Sequence, residues 1–382
     1  MAGSGQHPIG KEPFRIGVDY WPRRTGLDLW NHFDVDEVQE DFSLLAELGA
    51  NLAQITLIWE DFQPEPTGLR CRALAHLLSL CDAAASEGIR LELLLFSGHL
   101  AAVGSRPEWL ELALQKSMIA TSEHARGSLL DPIAVEAATT FAQGIARNVG
   151  GHPAVWSYNL GAPFATHAQS SLPGQSRVWL DELSRSIRAI DPKHAVTCDL
   201  TGTELTSRLA AHADEVCAFL DHSTFCSDGL LGDVVLADAK SRAAFGCALT
   251  TTLTGKPCMV KSDGFVAIDA PNSSCGSYAD AEPLESLLRD VQRVGALGAI
   301  VGPFSDEPGR GGRQGLVTGA GEICDRAEGI KDFAQVKPLV NKGAIHSLTL
   351  GVTLDEFFGD PGRHLQRLFR EFRSQLDSAP EQ

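Results

Sequence analysis

The run Ala154-Val-Trp-Ser-Tyr-Asn-Leu-Gly-Ala-Pro-Phe164 decides how this chain is read. Residues 155–160 are apolar and aromatic, as a buried strand requires, and Gly161-Ala162-Pro163 ends the run abruptly. A helical period covers residues 133–149 just before it, and another covers 178–190 after it. A strand held between two helices is the repeating unit of a parallel sheet. In a closed barrel of such units, the residues just past each strand form the floor of the functional site.

The same unit recurs along the chain. Strands are predicted over 15–20, 53–59, 89–96, 155–160, 196–200, 216–220, 257–260 and 299–301. Helices are predicted over 34–49 with an acidic cap, 74–86, 133–149, 178–190, 204–211, 236–253 and 284–294. Eight strands alternating with helices predict an α/β chain folded as a (β/α)8 TIM barrel, with a short C-terminal strand-plus-helix extension. A doubly wound open sheet is the alternative, but no Gly-rich phosphate loop follows the first strand to support it. The expected layout is a flexible N-terminus over 1–13, the barrel over 14–340, and an extension over 341–382 packed on the barrel. In that extension a strand is predicted over 345–350, then a helix whose apolar stripe is Leu365, Leu368, Phe369 and Phe372.

Composition narrows the function classes. The 382 residues are 43% hydrophobic, enough for a large core, and the formal net charge is −17. That charge argues against nucleic acid or an anionic membrane as a partner. No apolar run approaches the ~18 residues of a membrane span. The start MAGSGQHPIGKEPF has no apolar core of an export signal, and the nine cysteines stand singly, so a reducing cytoplasmic location is expected. No metal site or cofactor motif stands out. The expected partner is a small-molecule or carbohydrate-like ligand, and the sequence leaves the oligomeric state open.

Blocks in order along the chain resemble cellulase-like glycosidases of the glycoside hydrolase family 5 type, in the clan of (β/α)8 retaining enzymes. The blocks are Gly17-Val-Asp-Tyr-Trp-Pro-Arg23, Ile58-Trp-Glu-Asp-Phe-Gln-Pro64, Phe96-Ser-Gly-His99, His152-Pro-Ala-Val-Trp156, Gly255-Lys-Pro-Cys-Met-Val260, Gly295-Ala-Leu-Gly-Ala299 and Phe304-Ser-Asp306. They span about residues 14–335, and Glu356-Phe-Phe-Gly-Asp-Pro361 resembles the family's C-terminal end.

The resemblance implies a fold and, at the same time, a missing reaction. Retaining hydrolysis needs two carboxyls about 5 Å apart, one as nucleophile and one as acid/base. The family's acid/base is the glutamate of an Asn-Glu-Pro run after strand four, and here Ala162 and Pro163 take the places of its asparagine and glutamate. The family's nucleophile ends strand seven just before an aromatic residue and a glycine, and Ser262 falls there. The family's strand-two arginine falls at Gln54 or close to it, its strand-eight tryptophan platform at Val301-Gly302-Pro303, and its strand-six histidine-x-tyrosine survives only in part as His222-Ser-Thr224.

Other residues near strand ends can still exchange protons. Catalytic candidates are Asp263, which would serve if it rather than Ser262 faced the barrel mouth, together with Glu60, His99 and Asp306. Ligand-binding candidates are Asp19, Tyr20, Trp21, Asn159 and His222. Lys261 is expected to be exposed or salt-bridged rather than imine-forming, and Gly309-Arg-Gly-Gly-Arg-Gln-Gly315 to be a flexible loop. Three functions fit. The first is acid/base chemistry (a lyase, isomerase, cyclase or unusual hydrolase) on a sugar-like or polycyclic small molecule. The second is non-catalytic carbohydrate or ligand binding, and the third a glycosidase with a non-standard mechanism.

Overall fold

The computed structural model describes residues 12–97, 106–116, 131–162, 173–206, 217–227, 241–262, 284–306, 315–341 and 348–378. Its eight strands close in sequence order into one barrel. They are β1 (Arg15–Tyr20), β2 (Leu52–Thr56), β3 (Arg90–Leu94), β4 (Val155–Asn159), β5 (Ala195–Thr201), β6 (His222–Ser227), β7 (Cys258–Ser262) and β8 (Gly298–Pro303). All pairings are parallel, and β8 closes on β1 with Ile16 opposite Ala299. The open-sheet alternative is thereby excluded.

Successive side chains along a strand point to opposite faces, so each strand divides its residues between helix shell and barrel interior. Ile16, Val18 and Tyr20 of β1 and Ala53 and Ile55 of β2 join the core shared with the helices. Leu52, Met259 and Ile300 form a separate apolar plug inside the barrel, with Trp156 and Leu297 against it. The remaining inward positions are largely polar, and that layer makes the site.

Several boundaries differ from the sequence reading, and the largest difference lies at strand six. The apolar run 216–220 is the expected strand, but Cys217–Phe219 is a short 3-10 turn and β6 begins at His222. His222 therefore opens its strand instead of ending it. Trp59, expected to close the second strand, starts the short helix Trp59–Phe62. In the tail, 348–350 is irregular and 342–347 lies outside the described residues. The tail helix Pro361–Ser378 does pack its apolar stripe inward, with Phe369 and Phe372 edge-on to Phe245 of the helix Arg242–Thr254.

The loop after β1 is fixed by a buried ion pair. The helix Val35–Glu47, capped by Asp34 as its sequence predicts, carries Asp41 at 0% exposure. Asp41 accepts from the Arg23 guanidinium, from the Arg23 backbone N–H at 3.3 Å, and from the Tyr20 hydroxyl at 3.1 Å. These bonds hold Asp19 and Trp21 at the barrel mouth. The eight described cysteines are unbridged. No helix among the described residues is long and apolar enough to cross a membrane.

Candidate functional site

A small cavity of about 60 Å³ opens at the carboxyl ends of the strands, lined by residues that include Asp19, Trp21, Phe96, Ala162, Asp199 and Lys261. Three charged groups from three strands meet here. Lys261 of β7 donates from Nζ to Asp19 Oδ2 of β1 at 3.1 Å and to Gln54 Oε1 of β2 at 2.6 Å. Asp199 of β5 accepts from Asn159 Nδ2 at 2.7 Å. Trp21 and Phe96 supply the aromatic side of the cavity.

Beneath this rim lies Glu92 of β3, at 0% exposure in the centre of the barrel. Its Oε1 accepts from Gln54 Nε2 at 2.7 Å and from Asn159 Nδ2 at 3.1 Å. Its Oε2 accepts from Ser157 Oγ at 3.0 Å, with His222 Nε2 4.0 Å away. Burial pushes this carboxyl up, but nearby His222 and the Asn159 and Gln54 hydrogen bonds outweigh it, so the group stays below its ordinary range. The floor is therefore one connected chain running Asp19, Lys261, Gln54, Glu92, Asn159 and Asp199.

The structure separates the sequence candidates into groups. Asp19 and Trp21 line the cavity. Asn159 is fully buried one layer below, and Gly161 N donates to its Oδ1 at 2.8 Å. His222 lies deeper still, 3% exposed, with its ring 4.9 Å from Trp156, because β6 starts rather than ends there. Tyr20 is set apart from the cavity: it is buried outside the barrel wall, stacked on Phe42 with its hydroxyl on Asp41. Glu60 is exposed on the helix Trp59–Phe62 and does not line the cavity. Asp306 is half-buried, and its Oδ1 accepts from Gly315 N at 2.7 Å, a contact that ties the strand-eight loop. His99, Pro163 and Asp263 lie outside the described residues, as do residues 309–314 of the Gly-rich loop.

The two positions that the resemblance assigns to glutamates are occupied by Pro163 and Ser262, neither of which carries a carboxylate. Ala162, beside the first of them, lines the cavity at 2% exposure. Ser262 is 1% exposed and shares the strand parity of Cys258 and Val260, whereas Met259 and Lys261 take the inward parity. Strand seven thus presents an ammonium to the mouth, and Gln54 on strand two accepts from it.

Sequence reasoning missed Glu92 and Asp199. Each had a signal, since each is a carboxylate inside an otherwise apolar or β-branched strand run, Leu91-Glu-Leu93 and Cys198-Asp-Leu200. A charge is rarely buried there unless it is hydrogen-bonded or paired.

Barrel, polar floor and mouth together define a (β/α)8 protein with the fold of family 5 glycosidases. No sequence-family description matches the chain, and no curated protein matches it. Solved structures do. An exo-β-1,4-mannosidase from Opitutaceae bacterium strain TAV5 is similar with a TM-score of 0.67 and 22% identity. That match covers 85% of this chain, which spans only 60% of the mannosidase. A GH5_18 protein from Streptomyces cattleya, solved with GlcNAc, gives 0.68 at 17% identity, covering 93% of this chain and 92% of that one. A variant of the Streptomyces cattleya protein in complex with Manβ1-4GlcNAc gives 0.70 at 18% identity, covering 92% of each chain.

Proposed function

We propose that the cavity carries out acid/base chemistry on a small sugar-like molecule. The observation that carries this reading is the convergence of Asp19, Asp199 and Lys261 on one cavity. A carboxylate can take a proton from carbon next to a carbonyl, and a neighbouring ammonium can stabilise the oxyanion that forms. Asp199 is the base we favour, with Lys261 as the stabilising cation and Asp19 holding that cation in place. Asp19 Oδ1 is buried with no hydrogen-bond partner among the described residues, which suits it to accept a ligand hydroxyl. Trp21 offers a face to a ring. His99 and Asp263 stay in the proposal by their positions after strands three and seven alone.

The sugar-like class is supported by the carbohydrate ligands of the similar Streptomyces cattleya structures. A lyase, isomerase or cyclase needs only positioned proton transfer and no covalent glycosyl intermediate, so it does not require a pair of glutamates. A cytoplasmic setting fits the unbridged cysteines.

The test is isotope exchange. Aldoses, ketoses and cyclitol ketones are incubated with the protein in D2O, and deuterium at carbon is read by mass spectrometry. Incorporation is expected with at least one member of the panel, reduced at least about 100-fold in Asp199→Asn, the scale of a lost general base. Exchange that is indifferent to both Asp199→Asn and Lys261→Met would defeat the assignment. Binding without exchange would favour the non-catalytic reading.

A further inference from the structure

Glu92 touches neither the cavity nor solvent, yet both arms of the floor end on it. An ionised carboxylate can only accept hydrogen bonds, and a side-chain amide has one accepting end and one donating end. With Oε1 of Glu92 facing them, Gln54 and Asn159 must both turn their NH2 groups inward. Gln54 then has only its Oε1 left, and this oxygen meets Lys261 Nζ at 2.6 Å. Asn159 has a second N–H left, which meets Asp199 at 2.7 Å, while its oxygen takes the Gly161 N–H at 2.8 Å. Reversing Gln54 would set its NH2 against the ammonium and its oxygen against Glu92. Reversing Asn159 would set its oxygen against two carboxylates and its NH2 against a backbone N–H. A single buried charge therefore fixes the hydrogen-bond direction along both arms.

We propose that Glu92 is a positioning residue whose carboxylate sets the donor and acceptor polarity of the cavity floor, holding Lys261 as a hydrogen-bonded ammonium and Asp199 as a hydrogen-bonded acceptor. In Glu92→Gln the new amide can donate as well as accept, so Gln54 is free to reverse. Lys261 then loses an acceptor and faces a donor. In Glu92→Asp the charge is kept, and the polarity with it.

The experiment is competitive acetylation of lysines at mildly alkaline pH by limiting acetic anhydride, with each site followed by peptide mass spectrometry. Only the neutral amine reacts, so the rate at Lys261 reports how firmly its ammonium is held. Exposed Lys337 normalises the reagent. Lys256, whose Nζ donates to Ala218 O at 3.3 Å just before β7, reports general loosening. Labelling of Lys261 should rise about tenfold in Glu92→Gln, equivalent to one unit in its proton affinity. Lys256 should be unchanged, and Glu92→Asp should restore slow labelling. An unchanged Lys261 rate, or an equal rise at Lys256, overturns the proposal.

If Glu92→Gln fails to fold, Gln54→Leu decides the matter. It should speed labelling of Lys261 alone, and an unmoved rate overturns the proposal. Turnover of a sugar does not enter this experiment, so its failure is distinct from a failure of the isotope-exchange test.

Discussion

Gly161→Ala is expected to lose roughly 3 kcal/mol or more of stability, from backbone strain together with a collision against main chain. Gly161 ends the fourth-strand run at φ +77°, and a Cβ there would lie 1.8 Å from the carbonyl oxygen of Phe96. A flexible side chain can step aside from such an intrusion, but a backbone carbonyl on the edge of the barrel cannot. Gly151 separates the two contributions. Its φ is +80°, nearly the same, and a Cβ there would meet nothing within 4 Å. Gly151→Ala should therefore cost only about 1 kcal/mol, the strain alone. Urea unfolding of the two variants checks the difference. Because Gly161 and Phe96 both line the cavity, Gly161→Ala should also abolish any isotope exchange, whereas Gly151→Ala should leave it unchanged. Equal costs at the two sites would mean that the close approach to Phe96 is not a constraint.

The second large effect belongs to Glu92→Leu. Leucine has similar bulk but strands the donors on Gln54, Asn159 and Ser157 that the carboxylate now satisfies. Breaking a buried charged network of this kind costs on the order of 3–5 kcal/mol. The cost should depend on pH in a defined direction. The folded-state carboxyl lies below the ordinary value of 4.5, so the unfolded chain takes up the proton first. Its stabilising contribution is complete above about pH 4.5 and is lost as pH falls through the folded-state value. The gap in unfolding free energy between the parent protein and Glu92→Leu should therefore be widest near neutrality and shrink in acid. A gap that widened on acidification would contradict the ionised state of Glu92.

The barrel is legible because its strands announce themselves on the outer wall. Ile16, Val18, Ile55, Leu91, Leu93, Val155 and Val260 pack against helices, and their apolar period is what sequence patterns detect. The inner wall is far less legible. A parallel strand buried on both faces normally reads as a continuous apolar run. Above the plug of Leu52, Met259 and Ile300, this barrel's inward positions are hydrogen-bonded polar groups instead. Strand six shows the consequence. His222-Ser-Thr-Phe-Cys-Ser227 looks too polar for a barrel strand, so the apolar run before it is the more persuasive candidate. The apolar run would put His222 at the barrel's mouth, whereas it opens β6 in the barrel's depths. Trp59 is misplaced for a related reason, since an aromatic after an apolar run extends the pattern while Trp59–Phe62 turns into a helix.

Among site residues, Asp19 and Trp21 stand out in the sequence because they directly follow the apolar part of the first strand. Glu92, Asp199 and the role of Gln54 require three-dimensional information. Their partners sit on other strands 38, 40 and 207 positions away along the chain, and only the folded barrel unites them. The absence of carboxylates at Pro163 and Ser262 can be read from the sequence. That strand seven answers with an ammonium directed at Gln54 cannot.

If the proposed function holds, the mouth of this glycosidase-type barrel does not work by double displacement. The most direct measurement is hydrolysis of Manβ1-4GlcNAc and of a panel of nitrophenyl β-glycosides, followed by chromatography and nitrophenol release. No hydrolysis is expected above heat-inactivated protein, alongside Asp199-dependent deuterium exchange with a sugar-like carbonyl compound. Hydrolysis with retention at the anomeric carbon, abolished by Asp263→Asn and unaffected by Asp199→Asn, would contradict it.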